Sequence, residues 1–127
     1  MNSKSRLTRF ELELMEQFWK LGPSSVREIQ ESLPECSRPA YTTVQTMIYR
    51  LEEKKAVRRI KKIGNAHVFA PVLTRRAAYR RLIEQVLDWF GGSASPLMAH
   101  LIDAGKLTLA DLREAEQTLA GTMEKKK

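Results

Sequence analysis

Cysteine is all but missing from this chain. Cys36 is the only one in 127 residues, so no intrachain disulfide can form and a reducing cytoplasm is the expected compartment. Long apolar runs are also lacking: no window approaches the ~18 consecutive residues of a membrane span, so no membrane insertion is expected. The opening MNSKSRLTRF lacks the apolar centre of a secretory signal. Histidine occurs only at His67 and His100, and with Cys36 it shows no metal-ligand spacing, so neither a metal nor another cofactor is expected. There is no Gly-rich phosphate loop, no H-E-x-x-H and no nucleophile elbow, which argues against an enzyme. No internal repeat is visible. With 43% hydrophobic and 29% charged residues, the composition excludes a disordered or low-complexity chain. What is left is a small basic domain, or one domain with a short appendage.

The net charge of +7 is unevenly placed. Residues 36–74 hold eight basic side chains (Arg38, Arg50, Lys54, Lys55, Arg58, Arg59, Lys61, Lys62) against two acidic ones, and Arg75, Arg76, Arg80 and Arg81 follow directly. Residues 82–124 are acidic in balance, and Lys125–Lys127 restores positive charge at the end. A basic patch confined to mid-chain suits a polyanion such as nucleic acid or an acidic surface.

Periodicity divides the chain into elements. Thr8-Arg9-Phe10-Glu11 is a capping box, and Phe10, Leu14, Met15, Phe18 and Trp19 recur at helical spacing until Gly22-Pro23, which predicts a helix over 8–21. Ser25-Val26-Arg27-Glu28 is a second box, and Val26, Ile29 and Leu33 predict a short helix over 26–33. Pro34 to Pro39 reads as a loop. Over 42–54, Val44, Met47, Ile48 and Leu51 form a core-facing stripe. The opposite face carries Thr42, Thr46, Tyr49 and Glu53, flanked by Thr43, Gln45 and Arg50. This face lacks the Glu/Lys pairs of a merely solvated helix. The period then shortens to about two, and Val57–Lys62 and Ala66–Phe69 read as strands around Ile63-Gly64-Asn65, with Pro71 closing the second. Helical patterns resume from Arg75 to about 90, then after Gly91-Gly92-Ser93, and again after Thr108.

Three helices, the third with a polar reading face, followed by a basic hairpin are the parts of a winged helix-turn-helix. Such a helix fits the major groove, and a lysine-rich hairpin can lie along the backbone. The expected fold is therefore mainly α with a small β-hairpin wing. A winged-helix DNA-binding domain over 1–73 would precede a helical dimerisation domain over 74–127. Candidate DNA contacts are Thr42, Thr43, Gln45, Thr46, Tyr49, Arg50, Arg58, Lys61 and Lys62. The helices after 75 have no evident core of their own. Their apolar residues Tyr79, Leu82, Ile83, Val86, Trp89, Phe90, Leu97, Leu101, Leu112 and Leu119 are the candidate dimer seam, with packing back on the same chain as the alternative.

The stretches Leu7-Thr8-x-x-Glu11-x-x-x-Met15-x-x-x-Trp19, Val26-Arg27-Glu28-Ile29, Tyr41–Glu52, Gly64-x-Ala66 and Gly91-Gly92-Ser93 resemble the penicillinase-repressor (BlaI/MecI-type) regulators over about residues 7–120. The resemblance implies a cytoplasmic, homodimeric repressor that binds dyad operators in double-stranded DNA. In inducible members of the family a regulatory protease cuts the dimer domain. Four features depart from the pattern. Lys55 stands where the family usually has glycine after the recognition helix. A positive-φ exit there would cost a non-glycine about 1 kcal/mol, so a different helix end is one expectation. Asn65 replaces a common wing arginine. The cleaved Asn-Phe step aligns with His100-Leu101. No cysteine follows Cys36, unlike in the copper-responsive relatives. Two other readings remain open: a basic protein-interaction module, and a ligand- or metal-gated regulator on the same fold.

Overall fold

The computed structural model describes residues 6–125, with side chains to 123. The ends of the expected domains, at 1 and 127, and the side chains of the basic tail lie outside the described residues. The elements in order are α1 (Arg9–Leu21), β1 (Ser24–Ser25), α2 (Val26–Ser32), α3 (Tyr41–Glu53), β2 (Val57–Ile63), β3 (Ala66–Pro71), α4 (Arg75–Trp89), α5 (Ala94–Asp103) and α6 (Leu109–Lys125). A one-turn 3₁₀ segment, Glu35–Ser37, lies in the loop between α2 and α3. The fold is thus six helices and a small antiparallel sheet. The chain divides into two compact units, 1–83 and 84–127, so the division falls inside α4.

Both anticipated capping boxes in the first unit form. The Glu11 amide donates to Thr8 Oγ1 at 3.1 Å and the Thr8 amide to Glu11 Oε1 at 2.8 Å. Ser25 and Glu28 exchange the same pair of bonds at 3.0 and 3.2 Å. Each pair satisfies amides that a helix start leaves without partners. Phe18, Leu14, Met15, Ile29, Val44, Ile48, Leu51 and Phe69 have no exposed surface and form the core with Val26, Leu33 and Val57. Met47, expected in that core, is only half-buried at its edge.

The turn into α3 is held by side chains from outside it. Arg38 donates to the carbonyls of Leu33 and Glu31, the latter at 2.7 Å, and Gln30 donates to the Pro39 carbonyl at 3.1 Å. At its far end α3 closes in a Schellman motif. The Ala56 amide reaches the Leu51 carbonyl at 2.9 Å and the Lys55 amide reaches that of Glu52 at 3.0 Å. Lys55 sits at φ 64°, the sole non-glycine with positive φ among the described residues. The helix end therefore does not avoid the positive-φ exit, and Lys55 carries its strain.

Buried Glu11, with 1% of its side chain exposed, takes Lys54 Nζ at 2.6 Å, and Lys54 also donates to the Arg6 carbonyl at 2.8 Å. This pair bolts the end of α3 to the start of α1.

The sheet has the order β1-β3-β2, one strand more than the anticipated hairpin. Ser24 and Ser25 pair with Phe69 and Val68, and two residues are too few to show a period. In β2 the expected alternation is replaced by one buried residue, Val57, and six exposed ones, because the hairpin runs out past the core. Its register slips at Ile60: Arg59 faces Phe69, while Lys61 faces Val68. Ile60 is thus an extra residue on β2, a bulge.

In the second unit no described side chain is buried. Thr108 and Asp111 form a reciprocal cap at the start of α6, with bonds of 2.9 and 3.1 Å. Phe90 packs on His100 at 5.7 Å between centroids. Leu97, Leu101 and Leu112 are half-buried.

Candidate nucleic-acid interface

The core stripe of α3 fixes which way its other side faces. With Val44, Ile48 and Leu51 buried, the side chains of Thr42, Thr43, Thr46 and Arg50 are turned to solvent. With Met47 they line one shallow hollow on the helix surface. Thr46 bonds back to the Thr42 carbonyl at 2.9 Å, and Arg50 Nη1 lies 3.7 Å from Met47 Sδ. Short hydroxyls and a reaching guanidinium are groups that contact base edges and phosphates.

Gln45 and Tyr49 belong elsewhere. Both are half-buried and turn toward the hairpin, where Gln45 Nε2 donates to the Tyr49 hydroxyl at 3.2 Å. They line a second hollow of about 210 Å³ with Arg27, Tyr41, Asn65 and His67. That is below the ~300 Å³ of a typical small-molecule pocket. The candidate reading face is therefore two sets: an outward one, and one at the junction of helix and wing.

The bulge sorts the wing cations. Cross-strand partners share a face of the sheet. Arg59, opposite Phe69, and Lys62, opposite His67, therefore lie on the face that Tyr49 packs against. Arg58, opposite Ala70, and Lys61, opposite Val68, lie on the other. All three candidate contacts, Arg58, Lys61 and Lys62, are exposed. Gly64 takes φ 60° at the turn and Asn65 does not share the positive φ, as in a type II′ loop.

Sequence reasoning passed over two arginines here. Arg27 was absorbed into a capping box, yet its guanidinium stands 5.1 Å from the Tyr41 ring centroid at the mouth of the second hollow. Arg59 looked like one more wing charge, yet it is tied to α3. Further along, Arg75 donates to Glu16 at 3.1 Å and lies 5.4 Å from the Trp19 ring centroid, while Arg76 and Arg80 are exposed.

Of the candidate seam residues, Tyr79 already has partners in the first unit: its hydroxyl donates to Glu16 and its ring meets Trp19 at 6.4 Å. The bond to Glu16 raises the Tyr79 pKa above the ordinary phenol value, with partial desolvation adding to it. Leu82, Val86 and Phe90 are half-buried; Ile83, Trp89 and Leu119 are 54%, 68% and 61% exposed. Met98, Ile102 and Leu109, which share the helical spacing of the seam candidates, and Met123 are exposed as well. Among the described residues no cluster of three or more His, Cys, Asp or Glu could hold a metal, and no helix is long and apolar enough to cross a membrane.

The sequence profile of the penicillinase repressor family matches residues 7–121. The transcriptional regulator BlaI of Mycobacterium tuberculosis, in strains CDC 1551 and H37Rv, is 31% identical over 106 residues, covering 81% of this chain and 76% of the relative. A solution structure of the DNA binding domain of the repressor BlaI superposes with a TM-score of 0.51 at 28% identity. It covers 61% of this chain and 93% of that domain.

Proposed function

The chain belongs to the penicillinase repressor family, whose members are transcriptional regulators rather than enzymes, and from that premise we propose that it represses transcription as a homodimer on a palindromic promoter operator. The observation that carries the reading is the outward set on α3, Thr42, Thr43, Thr46 and Arg50, held by a buried opposite stripe beside an exposed basic hairpin. In this reading α3 enters the major groove and Arg50 supplies the longest reach to a base edge. Lys62, on the α3 side of the wing, meets the adjoining backbone, and Arg58 and Lys61 add charge from its other face. Gln45 and Tyr49 contribute at the junction of helix and wing.

The second unit supports a homodimer. Val86, Trp89, Phe90, Leu97, Leu101, Leu112 and Leu119 lie in a unit with no buried side chain among its described residues, and such apolar side chains are what a second copy would cover; Leu82 and Ile83, at the end of the first unit, are further candidates. Two-fold pairing places half-sites about one turn, roughly 34 Å, or a multiple apart. Release by a protease acting on this unit is consistent with its low burial. His100-Leu101 lies within α5, so scission at that step requires α5 to open first.

Selection of bound sequences from a random duplex pool, at near-physiological salt, tests the proposal. Recovery of one dyad motif is expected. Recovery of no motif, with affinity collapsing as salt rises, would make the basic patch an electrostatic handle for an acidic partner instead.

A further inference from the structure

Arg59 occupies the most basic stretch of the chain, where a phosphate contact would be the ordinary assignment. Its surroundings point elsewhere. Arg59 Nε donates to Glu52 Oε2 at 2.9 Å. Its guanidinium carbon stands 5.0 Å from the Tyr49 ring centroid and 5.4 Å from that of Phe69, two rings 6.2 Å apart. Glu52 and Tyr49 belong to α3, Arg59 to β2 and Phe69 to β3, so one side chain clasps the recognition helix to both strands of the wing. An exposed ion pair alone is worth little, but stacking on two rings within 6 Å adds to it. The slip at Ile60 places Lys62, not Lys61, beside Arg59 on the same face.

We propose that Arg59 is a positioning residue for operator recognition: it holds the wing at a fixed setting against α3, so that Arg50 and Lys62 engage one stretch of duplex together. This rests on the DNA-binding reading above. Gln45, which bonds to the clasped Tyr49, is set by the same bracket. A planar fork set over two neighbouring rings is not replaced by an ammonium, so lysine at this position keeps the charge and loses the clasp.

Two measurements on the full chain test it. The first titrates a duplex bearing the selected motif, and a scrambled duplex, across a salt series, with affinities scored on active protein from stoichiometric titration. The charge-preserving pair Glu52→Gln/Arg59→Gln is expected to lose about tenfold on the motif, the worth of one good base contact, and far less on the scramble. Its salt dependence should match that of the wild type. Lys62→Ala should weaken both duplexes alike and reduce the slope by about 0.9. Arg59→Lys should not restore discrimination. Full affinity in Arg59→Lys, or a slope reduced by about 0.9 in the paired variant, would make Arg59 a direct phosphate ligand and overturn the proposal. A fold merely weakened would lower the active fraction and leave the ratio between duplexes unchanged, which also counts against it.

The second measurement needs no DNA. Spin labels at Glu53→Cys and Asn65→Cys, in a Cys36→Ser background, report the distance from helix to wing turn. A narrow distribution that broadens in the Glu52→Gln/Arg59→Gln pair is expected, and an unchanged width would overturn the clasp. Failure of the pool to yield a motif would sink the repressor reading and leave this readout to decide the clasp separately.

Discussion

Between residues 7 and 83 the chain closes a core on itself, with Leu14, Phe18, Ile48 and Phe69 wholly out of solvent. Between 84 and 123 not one side chain is buried, and Trp89, Leu119 and Met123 expose 68%, 61% and 62% of their surface. Both stretches are amphipathic in sequence, so pattern alone does not tell them apart. The difference is what the apolar stripe meets. In the first unit, stripes from three helices and a sheet converge and close; in the second, the stripes are at most half-covered. A segment of about 40 residues rarely stabilises itself, and one without buried side chains lacks the means to do so. On the proposed reading this is a division of labour: the first unit would hold a reading face still, and the second would be completed by a second copy.

The largest effects should come from breaking the first unit's self-sufficiency. Phe18→Ala removes a fully buried ring and is expected to cost about 4 kcal/mol, read by denaturant unfolding. Lys54→Met leaves the Glu11 carboxylate buried without its cation and should cost about 3 kcal/mol by the same measurement. A loss well under 1 kcal/mol would mean that the bolt between α1 and α3 contributes little. In the second unit the intrachain cost of a substitution should be small and the cost in association large. Trp89→Glu is expected to weaken self-association by about 2 kcal/mol while the first unit's unfolding midpoint stays put. A shift in that midpoint would show that Trp89 supports the first unit instead.

Lys55→Gly sharpens the contrast in the opposite sense. Relief of the positive φ at the end of α3 should stabilise the first unit by up to about 1 kcal/mol. A destabilised variant would show that the lysine side chain does more than tolerate the turn.

The smallest effects separate the units by pH. Asp111 is held below the ordinary carboxylate range by the Thr108 amide, and further by the Thr108 hydroxyl. The α6 cap is therefore whole at neutral pH and is lost as pH falls below that range and through the lower folded value. Tyr79 is shifted upward, so its bond to Glu16 is whole below the ordinary phenol range and is lost as pH rises through the higher folded value. Carboxyl and tyrosine-ring NMR titrations should show acid-side fraying at α6 and alkaline loosening between α4 and α1. An Asp111 midpoint at the ordinary carboxylate value would contradict the cap.

What could be read from the sequence was what lies close along the chain. Thr8 with Glu11 and Ser25 with Glu28 are three residues apart, and the stripe on α3 repeats within two turns, so caps, helices and the exposed side of Thr42, Thr43, Thr46 and Arg50 followed from spacing, while Tyr49 and Gln45, read on that same face, turn to the wing instead. The family, too, was legible from Tyr41–Glu52 and its neighbours. Contacts that bridge distant positions were not. Glu11 meets Lys54 across 43 residues, and Arg75 meets Glu16 across 59. The bulge at Ile60 reassigns the wing cations to faces, yet β2 runs past the core and so offers no hydrophobic alternation to fix its register. For the same reason Arg59 read as one more wing charge rather than a clasp. Tyr79 lay on the apolar face of its helix, and nothing local revealed that Trp19 and Glu16 already engage it.

Sedimentation equilibrium of the intact chain over a wide concentration range, with helix content followed in parallel, tests the division of labour most directly. The account predicts twice the 14.6 kDa chain mass at high concentration, and helix content that falls as dilution yields monomer. A 14.6 kDa species that keeps all its helix at every concentration would contradict it, because the second unit would then stand without a partner.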